Sequence, residues 1–435
     1  MKTKLNLLPL VMLLFLSLIT NSCKDLDDSI KIPNSEDLIR RDSELYNLID
    51  RVTKQEDDPL QDIVCIDFVY PIHLEIYDST LHPIGSVTII GDDNFSAFLS
   101  FLPPDQSLSI SYPISTTLAD GSEFTVNNNS ELKLAIDSCS REDIISYCSG
   151  LFSTSSPTIV TPCVWKVQYD AAGDNRYLGG YFDANVDGTI TFYYGGQQYT
   201  GSWIFLFVND EFHININLEG TSQVAQDWNI DRRVIVAGDE IYIINPTKNI
   251  HLKKTCQSVT SYDVGDTGPS GGIVFYDKGF YSEGWRYAEA APIDLSYFEW
   301  GCATTSVSNA QNTVIGTGLY NSGVILNFHD SLLNFYTNPA VCDVLNNGTV
   351  AAKESLGYEF NGFKDWFLPS VDELSLLYSN LHQQNLGNFA NSLYWSSTEN
   401  DATTVKTIDF SNGQSVPSLK VPAVNTVNIR CIRYF

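Results

Sequence analysis

Within residues 63–256, run after run has apolar side chains at every second position, which commits those runs to strands with one buried face. Phe212, Ile214, Ile216 and Leu218 alternate with His213, Asn215 and Asn217, and Ile66, Phe68, Tyr70, Ile72, Leu74 and Ile76 do the same upstream. A helix cannot sort such a pattern, because its apolar residues must return every three or four positions. The composition agrees: 23 Tyr, 23 Phe and 7 Trp stand against 2 Met, and aromatic side chains favour pleated, half-buried surfaces. At 435 residues the chain has room for roughly two to four domains.

The alternation falls into two blocks. The first, 63–147, reads as a small β-domain, expected to be a sandwich; Leu108, Ile110, Tyr112 and Ile114 form one strand region, Leu132, Leu134 and Ile136 another, and Asp120-Gly121 a turn. Before it, 23–62 is an acidic linker in which Leu38, Leu45, Leu48, Ile49 and Val52 approximate a helical stripe, read as a short helix on a stalk. A Ser/Thr/Pro stretch, Ser153 to Pro162, precedes the second block, 160–256. There Trp165, Val167, the Asp187-Gly188 hairpin signal, Ile190, Phe192, Tyr194, Gly201-Ser202-Trp203, Trp228, Ile230, Ile241, Ile243, Ile250 and Leu252 mark short strands at regular spacing. That spacing predicts an up-and-down barrel or a sandwich. The Trp-Lys-Val opening, the Asp-Gly-Thr hairpin, the Gly-Ser-Trp and the closing Leu-Lys-Lys resemble bacterial lipocalin-like domains, which implies an antiparallel β-barrel.

Residues 1–22 read as a signal peptide. Lys2 and Lys4 precede a short apolar run, Leu5 to Ile19, interrupted by Pro9 and too short to span a hydrocarbon core of about 30 Å. Thr20-Asn21-Ser22-Cys23 resembles the lipobox of bacterial lipoproteins, departing from it at Thr20 and Asn21. The resemblance implies cleavage before Cys23, acylation of that residue with palmitate-type chains, and a lipid-anchored protein of the outer membrane, exposed at the cell surface. Lys24-Asp25-Leu26-Asp27-Asp28 would then be an acidic tether.

Nine cysteines in an oxidising compartment predict disulfides. Cys65 and Cys139 bracket one β-rich block and Cys163 and Cys256 the other. Cys302, Cys342 and Cys431 form an odd set, with 302–342 and 342–431 both open.

The segment 262–435 carries ordered blocks: Gly271-Gly272-Ile273-Val274-Phe275-Tyr276, Tyr287-Ala288-Glu289-Ala290-Ala291-Pro292, Trp300-Gly301, Asp365-Trp366-Phe367-Leu368-Pro369-Ser370-Val371-Asp372-Glu373-Leu374, Tyr394-Trp395-Ser396-Ser397-Thr398-Glu399 and the terminal Arg430-Cys431-Ile432-Arg433-Tyr434-Phe435. Ser370 and Glu373 make a capping box, and Leu374, Leu377, Tyr378 and Leu381 line one face of the helix that follows. In order and wording the blocks resemble the Legionella collagen-like protein C-terminal domain family. The resemblance implies a C-type-lectin-like α+β domain on a surface protein, with adhesion to glycans. No Gly-X-Y tract precedes it here, and acidic residues outnumber basic ones within it. The whole chain is thus expected to be multidomain and mainly β: a small sandwich, a lipocalin-like barrel and a lectin-like α+β domain.

A net charge of −27 opposes nucleic-acid phosphates. Gly268-Pro269-Ser270-Gly271-Gly272 matches the nucleophile-elbow pattern, but a strand follows it where a helix is required, so it reads as a turn and no enzyme is expected. In the C-terminal domain Trp366 and Trp395 are candidate sugar-stacking residues, and Glu399, Asp401 and Asp409 candidate polar ligands. Asp183, Asn185 and Asp187 before Gly188 have the opening of a calcium loop; Tyr194 stands where that loop needs a glutamate, which favours a hairpin and leaves calcium the one candidate cofactor. The expected function is non-enzymatic recognition of a glycan or surface protein, with membrane contact through Cys23. The alternative is an envelope carrier holding a small apolar ligand in the barrel.

Overall fold

The computed structural model describes residues 37–54, 66–118, 123–137, 141–155, 161–209, 211–423 and 427–435. Cys23, Cys65, Cys139 and the Asp120-Gly121 turn lie outside the described residues.

The N-terminal module comprises β1 (Ile39–Arg40), α1 (Glu44–Val52), β2 (Ile66–Val69), β3 (Ile72–Tyr77), β4 (Pro83–Ile89), α2 (Asp92–Phe101), β5 (Ser107–Ile110), β6 (Ile114–Leu118), β7 (Glu123–Val126) and α3 (Asn129–Asp137). Its strands form two sheets, ordered β1-β5-β3-β4 and β2-β6-β7. Three helices share the core with them, so the expected all-β sandwich is corrected to a mixed module. Leu132 and Ile136 are buried while Leu134 is 68% exposed: the run read as a strand is helix α3, its buried pair four residues apart. Helix α1 is no stalk helix either. Leu45, Leu48, Ile49 and Val52 enter the module's core.

Helix α4 (Arg141–Phe152) then leads into a closed, eight-stranded, antiparallel up-and-down barrel. Its strands are β8 (Cys163–Val167), β9 (Tyr181–Ala184), β10 (Thr189–Tyr194), β11 (Gln197–Val208), β12 (Glu211–Leu218), β13 (Ile230–Ala237), β14 (Glu240–Ile243) and β15 (Ile250–Cys256), with α5 (Gln223–Asp227) between β12 and β13. Inward residues of every strand are apolar, and Phe152 of α4 joins them, its carbonyl accepting a bond from Trp165 Nε1 (2.7 Å). Barrel closure pairs β15 with β8, and the Cys163–Cys256 disulfide crosses that seam.

The C-terminal part holds β16 (Ile273–Ser282), β17 (Trp285–Ala290), α6 (Gly318–Ser331), α7 (Ala351–Leu356), α8 (Val371–Asn380), β18 (Leu393–Glu399), β19 (Thr404–Asp409), β20 (Gln414–Leu419) and β21 (Ile432–Tyr434). They make two three-stranded sheets, β16-β17-β21 and β18-β19-β20. The capping box at Ser370 and Glu373 is formed. Cys302 bonds to Cys342, which leaves Cys431 a buried thiol, as is Cys148; burial pushes both up to about 12.

Helix α6 seats directly on the barrel rim. Gly323 makes the approach feasible, since a Cβ there would lie 2.7 Å from Leu178 Cβ. Asn327 Nδ2 donates to Asn175 O (3.1 Å) and Tyr281 Oη to Thr255 O (2.7 Å), so barrel and C-terminal part share polar as well as apolar contacts.

Candidate functional site

The residues expected to hold a glycan are mostly occupied in the core. Trp366 and Trp395 are fully buried, their indole N–H groups donating to Phe363 O and Phe298 O. Neither ring presents a face to a ligand, so the stacking assignment is corrected: both tryptophans are packing residues. Glu399 is also buried, in an ion pair with buried Lys420 (2.5 Å), and its carboxylate further accepts from Ser306, Val307 N and Gln311. With those partners it is a structural anion and is corrected likewise. Asp401 and Asp409 sit at the β18–β19 and β19–β20 turns. Asp401 accepts from Thr403 and Thr404, Asp409 from Ser411 and Asn412, and these bonds hold both carboxyls below the usual carboxylate range.

The candidate calcium oxygens are engaged separately. Asp183 accepts from Thr154 Oγ1, Asn185 from Ser155 Oγ, and Asp187 from Thr189 N and Oγ1. Gly188 takes φ +83° in the hairpin, as a tight turn between β9 and β10 requires. Among the described residues no group of three or more His, Cys, Asp or Glu side chains could hold a metal. Ser270 is fully buried in its turn, where Oγ accepts from Gly272 N. The barrel axis is filled with rings: Phe152 lies 4.7 Å from Trp203, and Phe182 lies 4.4 Å from Phe192 and 4.7 Å from Trp228 between centroids. Small barrels of this strand number are commonly filled this way, and an apolar cargo would have to displace that packing.

Two solvent-open clefts lie along the groove between the barrel's outer wall and the C-terminal part. One cleft, of about 740 Å³, is bordered by Tyr181, Tyr193, Gln198, Asn309, Asn312 and Tyr320. Tyr181 and Tyr193 are register partners on β9 and β10, and their rings stack at 4.7 Å and 9°. They point outward because their neighbours Phe182 and Phe192 point inward. A second cleft, of about 870 Å³, is bordered by Glu240, Tyr242, His251, Lys253, Asp365 and Arg433. There Tyr242 stacks on His251 (4.4 Å, 7°), and burial holds that imidazole below its usual pKa.

Lys166 borders both clefts. Its neighbours on β8, Trp165 and Val167, face the barrel interior, so Lys166 faces the groove. Burial pulls its ammonium down to about 8; Asp365 opposes the shift, while Arg433 and Lys278 reinforce it. The sequence did contain a signal for this surface. Tyrosines at outward positions of two adjacent barrel strands, where water-facing residues are expected, mark either a packed neighbour or a ligand.

No family model matches this chain, and no curated protein matches it. A solved structure of a fimbrial protein from Bacteroides ovatus ATCC 8483 aligns over 85% of this chain and 95% of its own, at 10% identity and a TM-score of 0.26. A superposition at that score carries no argument about fold or function. Among the described residues no helix is long and apolar enough to cross a membrane.

Proposed function

We propose that this chain is a lipid-anchored, surface-exposed outer-membrane lipoprotein that binds glycan and performs no turnover. The apolar leader and Cys23 support the anchor. The barrel's aromatic order and the C-terminal block order support lipocalin-like and lectin-like modules that together build the binding groove. One observation carries the glycan reading: a stacked, outward tyrosine pair beside planar amides in an open cleft. Ring faces suit the C–H surfaces of sugars, and Asn and Gln amides supply paired donors and acceptors for hydroxyls.

The test is a glycan array probed with the full chain lacking its leader, beside the Tyr193→Ala variant. The expected result is a bound glycan class whose signal the variant loses. A variant that binds as well as the parent, with an unchanged far-UV spectrum, would remove the groove from the reading. Palmitate labelling of cells producing the Cys23→Ala chain checks the anchor, and label retained by that variant would refute it.

A further inference from the structure

The outer wall of the barrel carries one continuous row across its strands. Lys253 of β15 lies opposite Lys166 of β8, Lys166 opposite Tyr181 of β9, Tyr181 opposite Tyr193 of β10, and Tyr193 opposite Gln198 of β11. Directly opposed residues share a face and stand about 5 Å apart, strand by strand. The row therefore runs unbroken from the charged cleft into the aromatic one, with Lys166 at the join.

The cations along this groove differ in what they already hold. Lys253 pairs with Glu240 at 3.1 Å, Lys254 donates to Leu151 O and Ser153 O, and Arg433 grips Asp365 at 2.7 and 2.9 Å and Glu289 at 2.5 Å. Lys166 has neither a carboxylate within ion-pair distance nor a hydrogen-bond acceptor among the described residues. Gly284 leaves room for its stem, since a Cβ there would lie 2.4 Å from Lys166 Cε. An ammonium that borders both clefts and holds no anion of its own is a ready partner for an incoming one.

We infer that the groove takes a carboxylate-bearing sugar residue, a uronic or sialic acid type, whose carboxylate meets Lys166 while a neighbouring ring lies on the Tyr181–Tyr193 pair. The charge balance favours a monoanion: Asp170, Glu240, Glu283, Glu359 and Asp365 also border the clefts and would repel a phosphate or sulfate cluster. A single lysine also supplies a point charge rather than the bidentate fork suited to phosphate. The inference rests on the glycan reading above and names its ligand class.

The experiment is isothermal titration of the full chain lacking its leader, with sialyllactose and a disaccharide bearing a single galacturonate as probes and their methyl esters as uncharged counterparts. At least one acid is expected to bind about tenfold or more tightly than its ester. Lys166→Met should erase the difference, and Lys166→Arg should restore part of it. Equal binding of acid and ester, or an undiminished preference in Lys166→Met, overturns the inference. If neutral glycans bind and only Tyr193→Ala abolishes that binding, the glycan reading stands and the acidic ligand falls. Should no glycan bind, acidic or neutral, both fall.

Discussion

His329 shows how much one buried side chain can write into the behaviour of this molecule. Its ring is fully buried, Nδ1 donating to Ile325 O at 2.7 Å and Nε2 accepting from Cys302 N at 2.9 Å. Gly301 lies against it, with a Cβ there only 2.5 Å from ring atoms. Burial brings the pKa down to about 4 from the ordinary 6.5. The folded state therefore binds a proton less readily than the unfolded one, so stability is full above pH 6.5 and falls as pH drops toward 4. At about 1.4 kcal/mol per unit the loss across that window is about 3 kcal/mol. Urea unfolding at pH 7 and at pH 4.5 should show it. His329→Gln should flatten the difference while lowering stability at pH 7, and an unchanged pH slope in the variant would assign the loss to other groups. At this scale the sequence was a poor guide to the site: Trp366, Trp395 and Glu399 look like ligand contacts in one dimension and are buried packing and pairing groups in three. Burial is set by neighbours distant in the chain, so a tryptophan's identity alone does not say which of its faces stays open.

Elements were legible where a local rule had no competitor. The Ser370–Glu373 capping box is one; the alternation that built the barrel is another, because eight strands repeated it. The run at Leu132, Leu134 and Ile136 failed because three apolar residues satisfy both a period of two and an i, i+4 pair. Glu373 also does more than cap α8. Its buried carboxylate accepts from Ser370 N and Gly316 N, both at 2.7 Å, and from Tyr434 Oη, tying the helix to the 313–318 loop and to the chain's last strand. The two halves of the box should therefore differ. Ser370→Ala is expected to cost about 1–2 kcal/mol, since Oγ both caps Glu373 N and donates to Val314 O (3.1 Å). Glu373→Ala should cost about 3–5 kcal/mol, since it strands three buried donors at once. Denaturant midpoints of the two variants check this, and equal losses would mean that Glu373 acts as a cap alone.

Across the whole molecule the buried side chains sort into cores that do not follow chain order. One spans the barrel, Phe152 of α4 and the C-terminal residues Trp285, Leu326, Phe367, Leu374 and Tyr434, while the N-terminal module keeps its own. Apolar burial is the dominant cooperative term in folding, so elements that share a core should melt together however far apart they lie in sequence. Barrel and C-terminal part are expected to unfold in one transition, and the N-terminal module in another. Leu326→Ala, in α6, should lower the first transition by about 2–5 kcal/mol at the barrel's amides and the C-terminal ones alike, and Leu74→Ala, in β3, should lower only the second. Hydrogen exchange read by mass spectrometry follows both units in a single sample. A barrel that kept its full protection in the Leu326→Ala chain would show that the two parts fold separately, and a groove between independently folding parts would lose the rigid walls that glycan binding requires.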